Sequence, residues 1–220
     1  MKYGQLVQGN RVNKFIYHCF DLIPEKEVIK LIKKFRNYSN NLDQQRHTFS
    51  ELILGAFLHS EGYNAKYEIA LNGITPDWTI VKDNSIFCII ELVNFQIDFA
   101  TRKEIKKNLL PGNVIAFWRD ESKDNVSRLW HILKIKFQKY HKNVNKLDMP
   151  FVVGIYPEFI ASITLDELRF CLLNEQSGLF HNYPEVSGVF HIYESKGYIF
   201  NYINNPTSSQ RFDLPNGKFE

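Results

Sequence analysis

Ile74-Thr-Pro-Asp-Trp-Thr-Ile-Val-Lys-Asp-Asn-Ser-Ile-Phe-Cys-Ile-Ile-Glu-Leu-Val-Asn-Phe-Gln96 is the stretch that decides the fold. Two β-rich runs flank Lys82-Asp83-Asn84-Ser85, a cluster that favours a turn, so the spacing predicts a hairpin. Pro76 has no N–H to donate, which suits the first residue of an outer strand. With the turn centred on Asn84, residues whose numbers sum to 168 face each other, and Asp77 is set opposite Glu91. Cross-strand partners lie about 5 Å apart at Cβ, where two carboxylates repel unless a cation lies between them. Two unrelated acids on a solvated face are the competing reading. Against it, Glu91 is embedded in Phe87-Cys88-Ile89-Ile90-Glu91-Leu92-Val93, a run apolar on both faces, where an unpaired carboxylate is costly.

Pro76-Asp77, thirteen residues, then Glu91-Leu92-Val93 resembles the PD-(D/E)XK nuclease superfamily, which has the restriction-endonuclease-like fold. The resemblance spans Arg46 to Tyr156. It implies an α/β (α+β) architecture, a mixed β-sheet flanked by helices, to which a C-terminal helix and β-hairpin are added. It also implies Mg²⁺- or Mn²⁺-dependent cleavage of phosphodiester bonds, with nucleic acid, DNA first, as the expected substrate. The cation would be held by Glu51, Asp77 and Glu91, Glu51 being the helical acid ahead of the hairpin that completes such a site. The superfamily's lysine belongs two residues after the Glu, a place held here by Val93. Members of the superfamily draw lysines into the site from other elements. That makes Lys136 the first candidate, Lys139 the second and Lys66 a third. Asn94 and Gln96 could hold a water but carry no charge. The expected catalytic set is Glu51, Asp77, Glu91 and Lys136. The alternative is a catalytically inactive nuclease-fold protein that binds nucleic acid or a protein partner.

Three carboxylates converging without a cation repel, so at least one should have a raised pKa. On that basis Glu91→Gln is expected to leave the metal-free fold unharmed or to stabilise it.

Composition agrees with a globular domain. The 220 residues are 44% hydrophobic and 23% charged. No apolar run approaches the roughly 20 residues of a membrane span, and the first residues lack the apolar stretch of a signal peptide. Cys19, Cys88 and Cys171 are widely separated and without metal-ligand spacing, so they read as reduced cysteines of a cytoplasmic protein. Oligomeric state is left open, a homodimer included. The net charge of +3 is unevenly placed: from Thr101 to Lys146 twelve Lys or Arg stand against four acids, and from Phe151 onward four against eight. A basic middle suits a polyanion, and Arg102, Lys103, Lys106, Lys107 and Lys139 are the expected phosphate contacts. A pair of solvated helix faces would give the same charge pattern.

The remaining periodicities place the elements. Phe15 to Phe20 reads as a short strand. Pro24 to Tyr38 reads as an amphipathic helix, with Val28, Leu31, Ile32 and Phe35 inward and Lys26, Lys30, Lys33 and Lys34 outward. An Asn-rich linker is expected from Asn37 to Gln45, then a buried helix from Thr48 to Glu61 stopped by Gly62. His47, one turn before Glu51, reads as a surface residue that could orient the carboxylate or touch a phosphate. Tyr63 to Leu71 reads as a strand and Asn72-Gly73 as a turn. Arg102 to Lys107 reads as a short basic helix, and Val114 to Arg119 as either a strand or a helical turn. A helix is predicted over Asn125–His141, with Lys136 about 80° from its apolar stripe at 100° per residue. An apolar strand, Met149–Ile155, should follow it as a parallel crossover requires. Thr164 should cap a helix over Leu165–Leu173. A hairpin is expected around Ser195-Lys196-Gly197, its His191, Tyr193, Tyr198 and Tyr202 face suggesting an edge. The tail after Asn204 shows little periodicity. The chain thus divides into an N-terminal helical segment (1–45), a core (46–156) and a C-terminal extension of the same domain (157–220).

Overall fold

The structure, a computed structural model, describes residues 3–96, 103, 122–157 and 163–220, the side chains of 122–124 and 142–147 excepted. Among the described residues, seven strands form one mixed sheet in the order β1-β2-β3-β4-β5-β6-β7. They are β1 (Ala65–Tyr67), β2 (Trp78–Lys82), β3 (Ser85–Phe95), β4 (Phe151–Pro157), β5 (Val186–Glu194), β6 (Tyr198–Asn204) and β7 (Gly217–Phe219). The central pairs β3–β4 and β4–β5 are parallel and the outer four pairs antiparallel. Six helices are described: α1 (Asn10–Leu22), α2 (Glu25–Asn37), α3 (Leu42–Ser60), α4 (Ser122–Leu147), α5 (Leu165–Leu173) and α6 (Leu179–Asn182).

Alternation along β3 sorts the helices into two layers. Ile90 and Leu92 face a core built with α1, α2 and α3. Ile89 and Val93 face a second core built with α4, α5 and α6. The chain is therefore a mixed α+β protein with both sheet faces covered.

The hairpin forms as the sequence suggests, with one refinement. Asp83 and Asn84 both take left-handed φ values, 50° and 61°, making a two-residue turn whose twist matches the strands. Lys82 pairs with Ser85 and Val81 with Ile86, then the extra residue Phe87 makes a bulge. From Ile80↔Cys88 to Trp78↔Ile90 the partners sum to 168, as expected. One step beyond, where the backbone ladder ends, the Asp77 carboxylate accepts from the Leu92 N–H at 2.7 Å.

Four expectations need correction. Phe15–Phe20 is not a strand: it lies inside α1, where Ile16, Cys19 and Phe20 recur at helical spacing on the buried face. Buried Asn13 fixes this helix by pairing with backbone groups of Leu6, Val7 and Gly9. The expected linker shrinks, because Asn41 caps α3 by accepting from the Gln44 N–H and the helix starts at Leu42. The early start puts Arg46 and His47 on the helix. The first strand is only Ala65–Tyr67, since Glu68 turns out of β geometry at φ 47°. Finally, β5 and β6 are interior strands; β7, too short to show a pattern in the tail, forms the edge. The expectations for Val114–Arg119 and for the basic helix, except helical Lys103, lie outside the described residues.

Helix α3 crosses the hairpin closely. A Cβ built at Gly55 would fall 2.0 Å from the Trp78 ring, so only glycine permits the contact. The Trp78 indole N–H then donates to the Glu51 carbonyl at 2.9 Å and fixes that residue against the strand.

Candidate active site

Glu91 projects from β3 toward α4 and is 3% exposed. The Lys136 ammonium lies 2.5 Å from its Oε2, and the Tyr140 hydroxyl donates to its Oε1. Lys136 and Tyr140 are one helical turn apart, so both reach the same carboxylate. The stripe Leu129, Leu133, Phe137 and Tyr140 seats α4 on the sheet. From its border the Lys136 stem runs inward, leaving 20% of the side chain exposed.

Glu51 is fully buried, and two donors and a histidine nitrogen meet its oxygens. Its Oε1 lies 2.9 Å from Lys34 Nζ and 3.1 Å from His47 Nε2, and its Oε2 accepts from the Tyr67 hydroxyl at 2.5 Å. Lys34 also meets Glu68 at 2.8 Å and the Tyr67 hydroxyl at 2.9 Å. Lys34 was expected to face solvent with the other α2 lysines. It lies three residues after Leu31 and one before Phe35, on the edge of the buried stripe, and turns in to neutralise Glu51.

Asp77 completes the arrangement. One ligand atom from each of His47, Glu51 and Asp77 lies within 4.8 Å of the other two. Burial, then the Glu91 and Glu51 charges, push the Asp77 pKa up to about 7, with Lys136 and the Leu92 N–H opposing. Burial raises the Glu51 pKa against the pull of Lys34 and Tyr67. Burial lowers that of His47, with Lys34 and Lys136 acting the same way and Asp77 and Glu91 against it. The Tyr67 and Tyr140 hydroxyls are pushed well up, by burial and then by the carboxylates they face, and so stay protonated donors.

The charge count is uneven. Lys34 is shared between Glu51 and Glu68 and Lys136 pairs with Glu91, but Asp77 meets no ammonium or guanidinium among the described residues. Two carboxylates and an imidazole, short of positive charge, are a donor set that could hold a divalent cation. Glu91, an expected ligand, is not a member of that cluster, since both its oxygens face α4.

The structure therefore brings Glu51, Asp77, Glu91 and Lys136 into one region. Val93, in the place of the motif lysine, is packed in the second core. Lys139 is exposed beside the Tyr140 ring, 5.2 Å from its centroid, and takes no part in the cluster. Lys66 pairs with Thr79 in the β1–β2 ladder. Asn94 lies 2.7 Å from the Ser50 hydroxyl. Of the expected phosphate contacts, Lys103 is exposed, while Arg102, Lys106 and Lys107 lie outside the described residues. Lys34, Tyr67 and Tyr140 were missed, and His47 was taken for a surface residue. Tyr140 left a sequence signal, a hydroxyl one turn from Lys136, and Lys34 a fainter one, its place at the edge of the α2 stripe; Tyr67 left none. No protein-family model, curated protein or solved structure matches this chain.

Proposed function

We propose that the protein is a metal-dependent phosphodiesterase that cleaves nucleic acid, DNA first, on a restriction-endonuclease-like scaffold of the PD-(D/E)XK kind. The observation that carries this reading is the Lys136 ammonium 2.5 Å from Glu91, near enough to Asp77 to oppose the rise in its pKa. It supplies from α4 the positive charge that Val93 cannot. Mixed sheet order and helices on both faces support the scaffold.

Glu51 and Asp77 would hold Mg²⁺ or Mn²⁺, with His47 as the third donor in the place first expected for Glu91. When bound, such an ion lowers the pKa of a water and acts as a Lewis acid toward phosphate. The chain's own residues do the rest. Lys136 presents a fixed positive charge where negative charge grows on the phosphate oxygens. Glu91 and Tyr140 hold that ammonium in place, Tyr140 by donating to the carboxylate. Lys34 and Tyr67 orient Glu51 and favour its ionised form against the opposing effect of burial.

One observation favours the binding-only alternative: both oxygens of Glu91 and of Glu51 already hold donors from the chain. Incubation of plasmid, single-stranded DNA and RNA with Mg²⁺ or Mn²⁺ separates the two. Cleavage that EDTA and Asp77→Asn both abolish supports the enzyme. Binding without cleavage on any substrate supports the alternative.

A further inference from the structure

A cavity of 730 Å³ opens at the C-terminal ends of the three parallel strands β3, β4 and β5. Its size and mixed lining suit a small-molecule-sized group. Phe49, Phe95, Tyr156, Tyr193 and Tyr198 give it aromatic walls, and Asn94 and Asn201 add amides that both donate and accept. His191 also borders it. This histidine is 3% exposed, and neither ring nitrogen has a hydrogen-bond partner; the Ile163 backbone comes near without closing one. Buried unpaired nitrogens are costly and call for a partner. Asn201 stands directly across the ladder from His191, so the two polar groups belong to one wall. The charged groups of the lining, Arg46 and Glu194, are both exposed and opposite in sign, which suits an uncharged ring better than an anion.

The cavity adjoins the acid cluster through one helix. Along α3, Arg46 and Phe49 line the cavity, while His47 and Glu51 belong to the cluster. Ser50, between them, touches Asn94. We propose that the cavity receives one unstacked nucleobase, whose nucleotide places its phosphate at the Glu51–Asp77 cluster. The choice of a nucleobase over another planar ring rests on the phosphodiesterase reading. Recognition of an unstacked base by aromatic stacking and edge hydrogen bonds is what such a lining provides.

The test is binding measured with Ca²⁺ as the divalent ion, to bridge phosphate and carboxylates, with the strands checked to be intact afterwards so that cleavage plays no part. A labelled duplex with a single-nucleotide bulge is compared by fluorescence anisotropy with the same bulge made abasic, and free deoxynucleoside monophosphates are titrated by calorimetry. The bulged base should bind about tenfold tighter than the abasic one. Tight binding of a free monophosphate would instead identify the base's source as a free nucleotide. His191→Phe should remove the preference and leave the melting temperature equal or higher, because it deletes two unpaired nitrogens. Asn201→Leu serves as the second variant and should do the same. Equal affinity for base and abasic bulge, with no monophosphate binding, would overturn the proposal, as would a preference that survives both variants. A base preference in a protein that never cleaves would sink the phosphodiesterase and leave the cavity site standing.

Discussion

The Lys136 ammonium lies 2.5 Å from the carboxylate of Glu91, a residue 45 positions earlier in the chain. The pair crosses from helix to sheet, and on the nuclease reading proposed above its cation takes the part of the lysine expected two residues after Glu91. Val93 at that position faces the same helix, so strand and helix have divided the work: the strand packs and the helix carries charge.

That pairing changes what Glu91→Gln should do. Removing the charge leaves Lys136 without its counterion, and an unpaired partner of a buried pair is costly. The variant should lose about 1–3 kcal/mol in metal-free buffer, read by urea denaturation. A gain in stability would mean that repulsion from Asp77 outweighs the ion pair, the outcome that carboxylate convergence alone suggested.

Asp77 is where relief of repulsion belongs. Its pKa is raised from 3.8 to about 7, so the folded state holds the proton more tightly than the unfolded chain. Below about pH 4 the group is protonated in both states and contributes nothing. As pH rises from about 4 to 7 the unfolded chain ionises first and stability falls, at about 1.4 kcal/mol per pKa unit at most. Asp77→Asn should therefore stabilise the metal-free protein at pH 8 and hardly at pH 4. Thermal melts of both proteins across that range check the sign; equal differences at the two pH values would contradict it. Mg²⁺ should raise the wild-type melting temperature more at pH 8 than at pH 5.

Lys34 supports Glu51 in the same way. Lys34→Met leaves a fully buried carboxylate without its ammonium and should cost about 3–5 kcal/mol at pH 7. The loss should shrink at low pH, where Glu51 takes a proton. A cost below about 1 kcal/mol would show that Tyr67 and His47 hold the carboxylate unaided.

The legible parts of this structure are those set by local pattern. The hairpin turn was legible at Asp83-Asn84, although by itself that turn sets partners summing to 167 and only the bulge at Phe87 restores the expected 168 register; the Leu129–Tyr140 stripe placed Lys136 near the core, and Thr164 forms its capping box with Glu167. What stayed hidden is non-local. Lys34 and Tyr67 meet Glu51 across 17 and 16 residues, and no periodicity links them. A six-residue apolar window fits strand or helix equally, which is why Phe15–Phe20 misled. His47 joined the site because Asn41 started α3 early, and one cap is a faint signal.

Lys136 decides between enzyme and inactive relative, and metal-dependent cleavage by wild type and Lys136→Ala is the measurement that tests it. Wild type should cleave DNA with Mg²⁺ or Mn²⁺. Lys136→Ala should lose about 10²–10³-fold in rate while binding Mn²⁺ within a few-fold of wild type by calorimetry. Lys139→Ala should lose only a salt-sensitive part of its nucleic-acid affinity. Val93→Lys in the Lys136→Ala background should recover part of the rate. Full activity in Lys136→Ala, or no cleavage by wild type on plasmid, single-stranded DNA and RNA, would contradict the catalytic role assigned to this lysine.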